Sequence, residues 1–244
     1  MTASTRTILA TSGGLAAGRR TMFGFGPLLQ HAIELSGVTG RAPRVCYVGT
    51  AGGDQESFEA RFAEAGRAAG VTVTPLRLFT MPNVDDLAGL VLDQDVVWVG
   101  GGSVANLLAL WRLHGLDEVF RRAWESGVVL SGVSAGSICW HVGGTTDSFG
   151  PDLRPVTNGL GFLPYANGVH YDAEAQRRPR FHQYIAEGLL PGGYATDNNA
   201  GLVYHGTELS EAVAEVPGRA AYQVFLADGE VREERLDTRL LPGA

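Results

Sequence analysis

Val128-Val129-Leu130-Ser131-Gly132-Val133-Ser134-Ala135-Gly136 is an apolar strand that breaks into Gly-x-Ser-x-Gly and passes into a helix. Strand, tight turn and helix in that order are what a nucleophile elbow requires, because the central serine sits on a strained turn that only small neighbours permit. Gly132 and Gly136 are those neighbours. At a helix start, unpaired N–H groups and the helix dipole favour developing negative charge. Ser134 therefore reads as a nucleophile and the N–H of Ala135 as half of an oxyanion hole. A serine that merely caps a helix has the same local pattern, and the motif arises easily in a chain with 34 glycines. The flanking strand and helix favour the catalytic reading.

Outward from this stretch, short apolar runs alternate with longer amphipathic ones, the rhythm of a mainly parallel sheet covered by helices. Strands are expected at Thr7–Thr11, Arg44–Val48, 71–79 and 95–99, with helices at Pro27–Leu35, 55–69, Val104–Leu113 and 116–126. Asp54 and Ser103 stand where the second and third of these helices need an N-cap. Beyond Gly150, proline, glycine and asparagine become frequent and the pattern weakens. The last stretches, 212–216, Ala221–Ala227 and 230–236, read as antiparallel strands with a turn at Asp228-Gly229. No repeat or linker interrupts the chain, so one domain over residues 1–244 is expected.

Composition narrows the chemistry. The chain has 244 residues, 45% hydrophobic and 18% charged, enough to bury a core and too apolar for general disorder. A net charge of −7 with no basic run speaks against nucleic acid, and Arg177-Arg178-Pro179-Arg180 is too short to change that. Two cysteines, Cys46 and Cys139, cannot staple a domain of this size, which fits a reducing compartment. Residues 1–6 lead into Ile8-Leu9-Ala10 without a signal-peptide pattern, and no apolar run approaches a membrane span. A cytoplasmic protein that touches neither membrane nor nucleic acid is expected. No spacing suggests a metal site. Gly100-x-Gly102-x-x-Ala105 nominally fits a dinucleotide loop, but it follows the fourth strand rather than the first, so no cofactor is expected. Read instead beside Ser134, the glycines of Gly100-Gly101-Gly102 bring backbone close to a reacting carbonyl and offer the second oxyanion donor.

A serine nucleophile needs a base, and the base needs a group that orients it. Of six histidines, His31 and His114 fall on helices or their ends, His141 follows the elbow too closely, His182 lies on a polar helix and His205 in a turn. His170, in Asn167-Gly168-Val169-His170-Tyr171-Asp172, stands at a strand end among polar residues. It is the candidate base, although a hydrogen-bonded structural histidine has the same surroundings. Asp147, in the polar loop between Ser134 and His170, is the candidate orienter; Asp152, Asp172 and Asp197 compete with it.

Taken together, Val99-Gly100-Gly101-Gly102-Ser103, Gly132-Val133-Ser134-Ala135-Gly136, Thr146-Asp147 and Val169-His170-Tyr171 resemble the S51 peptidases, the family of peptidase E and cyanophycinase, over roughly residues 44–206. The resemblance implies a flavodoxin-like, amidotransferase-like three-layer α/β/α sandwich and a serine peptidase acting on short peptides. It maps the triad onto Ser134, His170 and Asp147, and the oxyanion glycine onto Gly102. Ser103 occupies the place where the family usually has asparagine, which bears on substrate preference. Arg178 is the arginine implied to grip a substrate carboxylate, with Ser103 and Tyr171 beside it in the substrate site and an Asp-X dipeptide as the substrate. Homodimers in the family imply a homodimer here. Two other readings stay open at this stage: an α/β-hydrolase esterase, whose acid and histidine usually come much later in the chain, and a non-catalytic binding module on the same scaffold.

Overall fold

The computed structural model of the protein describes residues 5–243. Residues 1–4, part of the stretch weighed above for a targeting signal, lie outside them.

An eight-stranded sheet forms the centre of the molecule. Five of its strands are mutually parallel, in the spatial order Thr7–Thr11, Val129–Val133, Val96–Val99, Arg44–Val48, Thr72–Leu76. Ala200–His205 and Glu208–Ala214 extend it antiparallel beside Thr7–Thr11, and Thr238–Leu240 closes the edge. Strands buried on both faces alternate their side chains between two cores. Val45 and Tyr47 pack with Leu28, Leu29 and Phe62 from the helices Pro27–Leu35 and Glu56–Ala68. Cys46 and Val48 point the other way, to Trp111, Phe120 and Trp124 from the helices Val104–Leu113 and Leu116–Glu125. Period two in the strands and helices on both faces make the three-layer α/β/α architecture. Truncating Trp111 or Phe120, both fully buried, would cost about 3–5 kcal/mol.

Elements expected from the sequence recur with small shifts. Helices span Pro27–Leu35 and Val104–Leu113, the latter capped by the Ser103 hydroxyl, which accepts from the Asn106 N–H. Asp54, expected to cap the next helix, does something else. Its carboxylate accepts the N–H groups of Leu78 (2.6 Å) and Phe79 (3.0 Å), tying down the chain after the Thr72–Leu76 strand. Glu56–Ala68 instead starts behind Gln55 with no side-chain cap. The strand expected over 71–79 accordingly stops at Leu76, where this loop begins.

The second half of the chain builds another sheet. Six strands run in the order Glu230–Arg235, Ala221–Ala227, Gly193–Thr196, Leu163–Gly168, His141–Thr146, Arg154–Val156. The hairpin around Asp228-Gly229 is antiparallel as expected, whereas Gly193–Thr196, Leu163–Gly168 and His141–Thr146 are parallel. Tyr194, Tyr204 and Leu163 join the two sheets through the core that holds Trp140 and Phe162. No helix among the described residues is long and apolar enough to cross a membrane.

Candidate active site

Four strand ends converge. Thr7–Thr11 and Val129–Val133 of the central sheet deliver Ser12 and Ser134; Leu163–Gly168 and Gly193–Thr196 of the second sheet deliver His170 and Asn198. Each of these loops leaves the carboxyl end of its strand.

Ser134 has φ 59° and ψ −113°, the strained turn of an elbow, and its helix Ala135–Ile138 follows at once. The sequence folds this way because no side chain fits at the two framing glycines. A Cβ on Gly132 would approach the carbonyl oxygens of Gly136 and Val99 to 2.6 Å, and one on Gly136 would crowd the Val99 carbonyl even more closely. The Ser134 N–H donates to the Thr11 carbonyl at 3.0 Å, fixing the turn to the neighbouring strand end. Behind the elbow, Cys139 is fully buried and burial holds its thiol well above the usual range, so it is no competing nucleophile.

The Gly100-Gly101-Gly102 loop lies against the serine: a Cβ on Gly101 would stand 3.3 Å from Ser134 Cβ. Gly102 adopts φ 136°, and a Cβ there would collide with the Ala51 carbonyl, so glycine is required. Among the described residues the Gly102 N–H donates to no backbone acceptor, and the Ala135 N–H is a first-turn donor without an intrahelical partner.

Ser134 and His170 border the same cavity, about 340 Å³ in volume, together with Gly102, Ser103, Glu174 and Arg177. His170 is also held at positive φ, 55°, by two anchors. Its N–H donates to Ser12 Oγ at 3.2 Å, and its ring Nδ1 lies 2.6 Å from Asn198 Oδ1. With Nδ1–H donating to the amide oxygen, the other ring nitrogen, Nε2, is the unprotonated one. Asn198 is itself fixed: its N–H donates to Asp172 Oδ1 at 2.7 Å, and the other oxygen of Asp172 pairs with Arg219.

Three of the expected site residues lie in other surroundings than expected. Asp147 borders the cavity but is not on the far nitrogen of His170; Asn198 is there. Asp147 belongs to the loop after His141–Thr146, whereas Nδ1 faces the loop after Gly193–Thr196. Arg178 is not among the residues bordering the cavity; its guanidinium lies over the Tyr171 and Tyr222 rings and pairs with Glu233 at 3.1 Å. Tyr171 is buried, its hydroxyl donating to Glu233 at 2.8 Å, and it is not among the residues bordering the cavity either. One helical position explains the arginines: Arg177 turns inward, buried, with Nε on Glu174 (2.6 Å) and Nη1 on the Thr145 carbonyl (3.0 Å), while Arg178 turns to the opposite cluster. Sequence reasoning did not single out Asn198, Ser148 or Glu174, and met Arg177 only within the cluster from which Arg178 was chosen. An orienter sought only among acids misses an amide, although Thr196-Asp197-Asn198-Asn199 is a conspicuous polar run at a strand end.

His141 is accounted for differently. It is fully buried, its Nδ1 2.9 Å from the Ser137 carbonyl, and burial lowers its pKa to about 4. It is a neutral structural group beside the elbow.

The arrangement as a whole offers a strained serine, an imidazole with a defined tautomer, two free N–H groups and one buried cation around a single polar cavity. Comparison with known proteins agrees in family and fold. The model of peptidase family S51 matches residues 8–212. The chain is 42% identical over 199 residues to an uncharacterized peptidase, YgaJ, of Bacillus subtilis (strain 168), covering 82% of this chain and 85% of that protein. It is 31% identical over 175 residues to peptidase E of Streptomyces coelicolor, covering 67% and 69%. The crystal structure of a peptidase from an acI-B1 actinobacterium superposes with a TM-score of 0.64 at 17% identity, covering 95% of this chain and 94% of that one.

Proposed function

Since the chain belongs to peptidase family S51, we propose that it hydrolyses short peptides through an acyl-enzyme formed on Ser134, with His170 as base and Asn198 as the group that orients it. The observation that carries this reading is that Ser134, at φ 59°, borders one cavity with a His170 whose Nδ1 is engaged by Asn198 Oδ1.

In this mechanism Ser134 Oγ attacks the scissile carbonyl carbon while His170 Nε2 takes its proton. The imidazolium so formed keeps its Nδ1–H on Asn198, as in peptidases that use an asparagine in this role. The carbonyl oxygen becomes an oxyanion and is received by the N–H groups of Gly102 and Ala135, which need no reorganisation at that moment. Collapse breaks the C–N bond, with the Nε2 proton passing to the leaving amine. Water then adds to the acyl-enzyme with His170 again as base, releasing the acid and restoring Ser134. Arg177 borders the cavity with Nε held by Glu174 and Nη1 by the Thr145 carbonyl, which leaves Nη2 to meet a substrate carboxylate. Ser103 stands at the rim beside Gly102. We assign no role in acid–base transfer to Asp147.

A fluorophosphonate should form an adduct that maps to Ser134, and Ser134→Ala should lose both the adduct and peptide hydrolysis while keeping its fold. An adduct on another residue, or full turnover by the alanine variant, contradicts the proposal.

A further inference from the structure

A second cavity opens on the other side of the nucleophile. It measures about 200 Å³ and is walled by Leu15, Tyr47, Phe58, Trp98 and Val133, with Gly101 on its rim. Val133 directly precedes Ser134, and Gly101 is the residue whose Cβ would stand 3.3 Å from Ser134 Cβ. The serine thus separates a polar cavity from an apolar one. The apolar cavity also sits where this sheet topology puts a binding crevice: Arg44–Val48 and Val96–Val99 are adjacent strands whose connections leave in opposite directions, and Gly49, Gly52 and Gly100 lie just beyond their carboxyl ends.

We propose that this cavity receives an aliphatic or aromatic side chain, that of the substrate residue whose carbonyl Ser134 attacks. The inference rests on the serine-peptidase reading above and adds the substrate class. Its direction follows from the roles already assigned. His170 gives its proton to the leaving amine, so the leaving residue lies on the His170 side, in the polar cavity with Arg177. The acyl residue then extends past Gly101 and Val133 into the apolar one. Tyr47 and Phe58 stack with centroids 5.6 Å apart and offer an aromatic wall. Gln55 also borders it, and among the described residues no charged side chain does. Its volume is below the roughly 300–1,000 Å³ of pockets for whole small molecules, and suits one side chain.

The chemistry disfavours an acidic residue there. An aspartate would give up its hydration without meeting a cation. Burial first, and then the negative charge of Glu59 and Asp54 behind the wall, raise the Tyr47 hydroxyl above the usual phenol range, so the field at this wall also opposes an anion. The expectation of an Asp-X substrate placed the carboxylate grip on Arg178, which does not border either cavity. Arg177 is on the leaving-group side, where the guanidinium nitrogen not engaged by Glu174 or Thr145 matches the terminal carboxylate of a dipeptide instead.

The test uses the full-length protein and a dipeptide panel Xaa-Ala, with Xaa as Leu, Met, Phe, Ala and Asp, alongside fluorophosphonate labelling of Ser134. Leu, Met or Phe should exceed Asp at least about tenfold in kcat/KM. Phe58→Ala and, separately, Leu15→Ala should each lower the Leu-to-Ala ratio by roughly tenfold. Because the readout is a ratio within one protein, partial loss of folded enzyme does not mimic it, and the two variants come from different elements. Labelling of Ser134 with a profile that favours Asp, or with ratios unmoved in both variants, overturns the pocket assignment and leaves the peptidase reading standing. No labelling and no hydrolysis of any panel member overturns both.

Discussion

The loop that carries Ser134 and the loops that carry His170 and Asn198 meet at one cavity but are determined in different ways. Ser134 is fixed by its own neighbourhood: one strand, two glycines and one short helix, all within the 129–138 stretch. His170 owes its position to Ser12, 158 residues away, and its ring orientation to Asn198, 28 residues on. Asn198 in turn depends on Asp172 and Arg219. A strained serine turn can be written into a local motif, whereas the groups that hold the facing histidine are assembled by packing two sheets together.

The sharpest way to probe the local half is Ser134→Ala. Peptide hydrolysis should fall by about 10⁴-fold or more, with residual catalysis from the oxyanion donors, measured as kcat on any peptide that the parent cleaves. Retention of the cooperative unfolding transition would show that the loss is chemical, since Ser134 Oγ has no hydrogen-bond partner among the described residues.

Next in size is the acid sensitivity of the buried histidine behind the elbow. His141 is buried and neutral, with a folded pKa of about 4 against 6.5 when exposed. Because the folded value is the lower one, the unfolded chain takes up the proton first as pH falls. Stability is therefore fully present above pH 6.5 and declines through the window from 6.5 to about 4, by on the order of 3 kcal/mol from this group. Denaturant titrations at pH 7 and pH 4.5 should show most of that loss in the parent, and a correspondingly smaller one in His141→Gln. An equal acid slope in both proteins would remove His141 from the account.

The two adjacent arginines give a smaller effect. Arg177→Ala should weaken kcat/KM for a dipeptide with a free carboxyl terminus by about 2–3 kcal/mol relative to its amide, because a charge-assisted contact in a confined site is lost. Arg178→Ala should change that ratio by less than about 1 kcal/mol. Its guanidinium is spent on Glu233 and two tyrosine rings. Reversed magnitudes would return the substrate contact to Arg178.

Much of the central sheet was legible in the sequence because its determinants are local. Thr7–Thr11, Arg44–Val48 and Pro27–Leu35 follow from apolar runs, and the Ser103 cap from one hydroxyl before a helix. Asp54 was misassigned because a capping residue and a loop-binding carboxylate look alike until the chain returns 24 residues later at Leu78. The second sheet was faint for a related reason. Its parallel strands Leu163–Gly168 and Gly193–Thr196 are short and rich in glycine, alanine and tyrosine, and their pairing is non-local. Among the site residues, Ser134 and His170 stood out by motif and position. Distinguishing Arg177 from Arg178 needs the rotation of their helix, and distinguishing Asn198 from Asp147 needs to know which strand end faces Nδ1.

Asn198 belongs to the non-local half of the site and bears on the base that faces the local one, so the most direct measurement is kcat/KM for one dipeptide across pH 5–9 in Asn198→Ala and Asp147→Ala. If Asn198 sets the tautomer and orientation of His170, its removal should cost about 10²-fold throughout that range, and removal of Asp147 less than about tenfold. A loss in Asp147→Ala that equals or exceeds the loss in Asn198→Ala would contradict the assignment and return the orienting role to the acid.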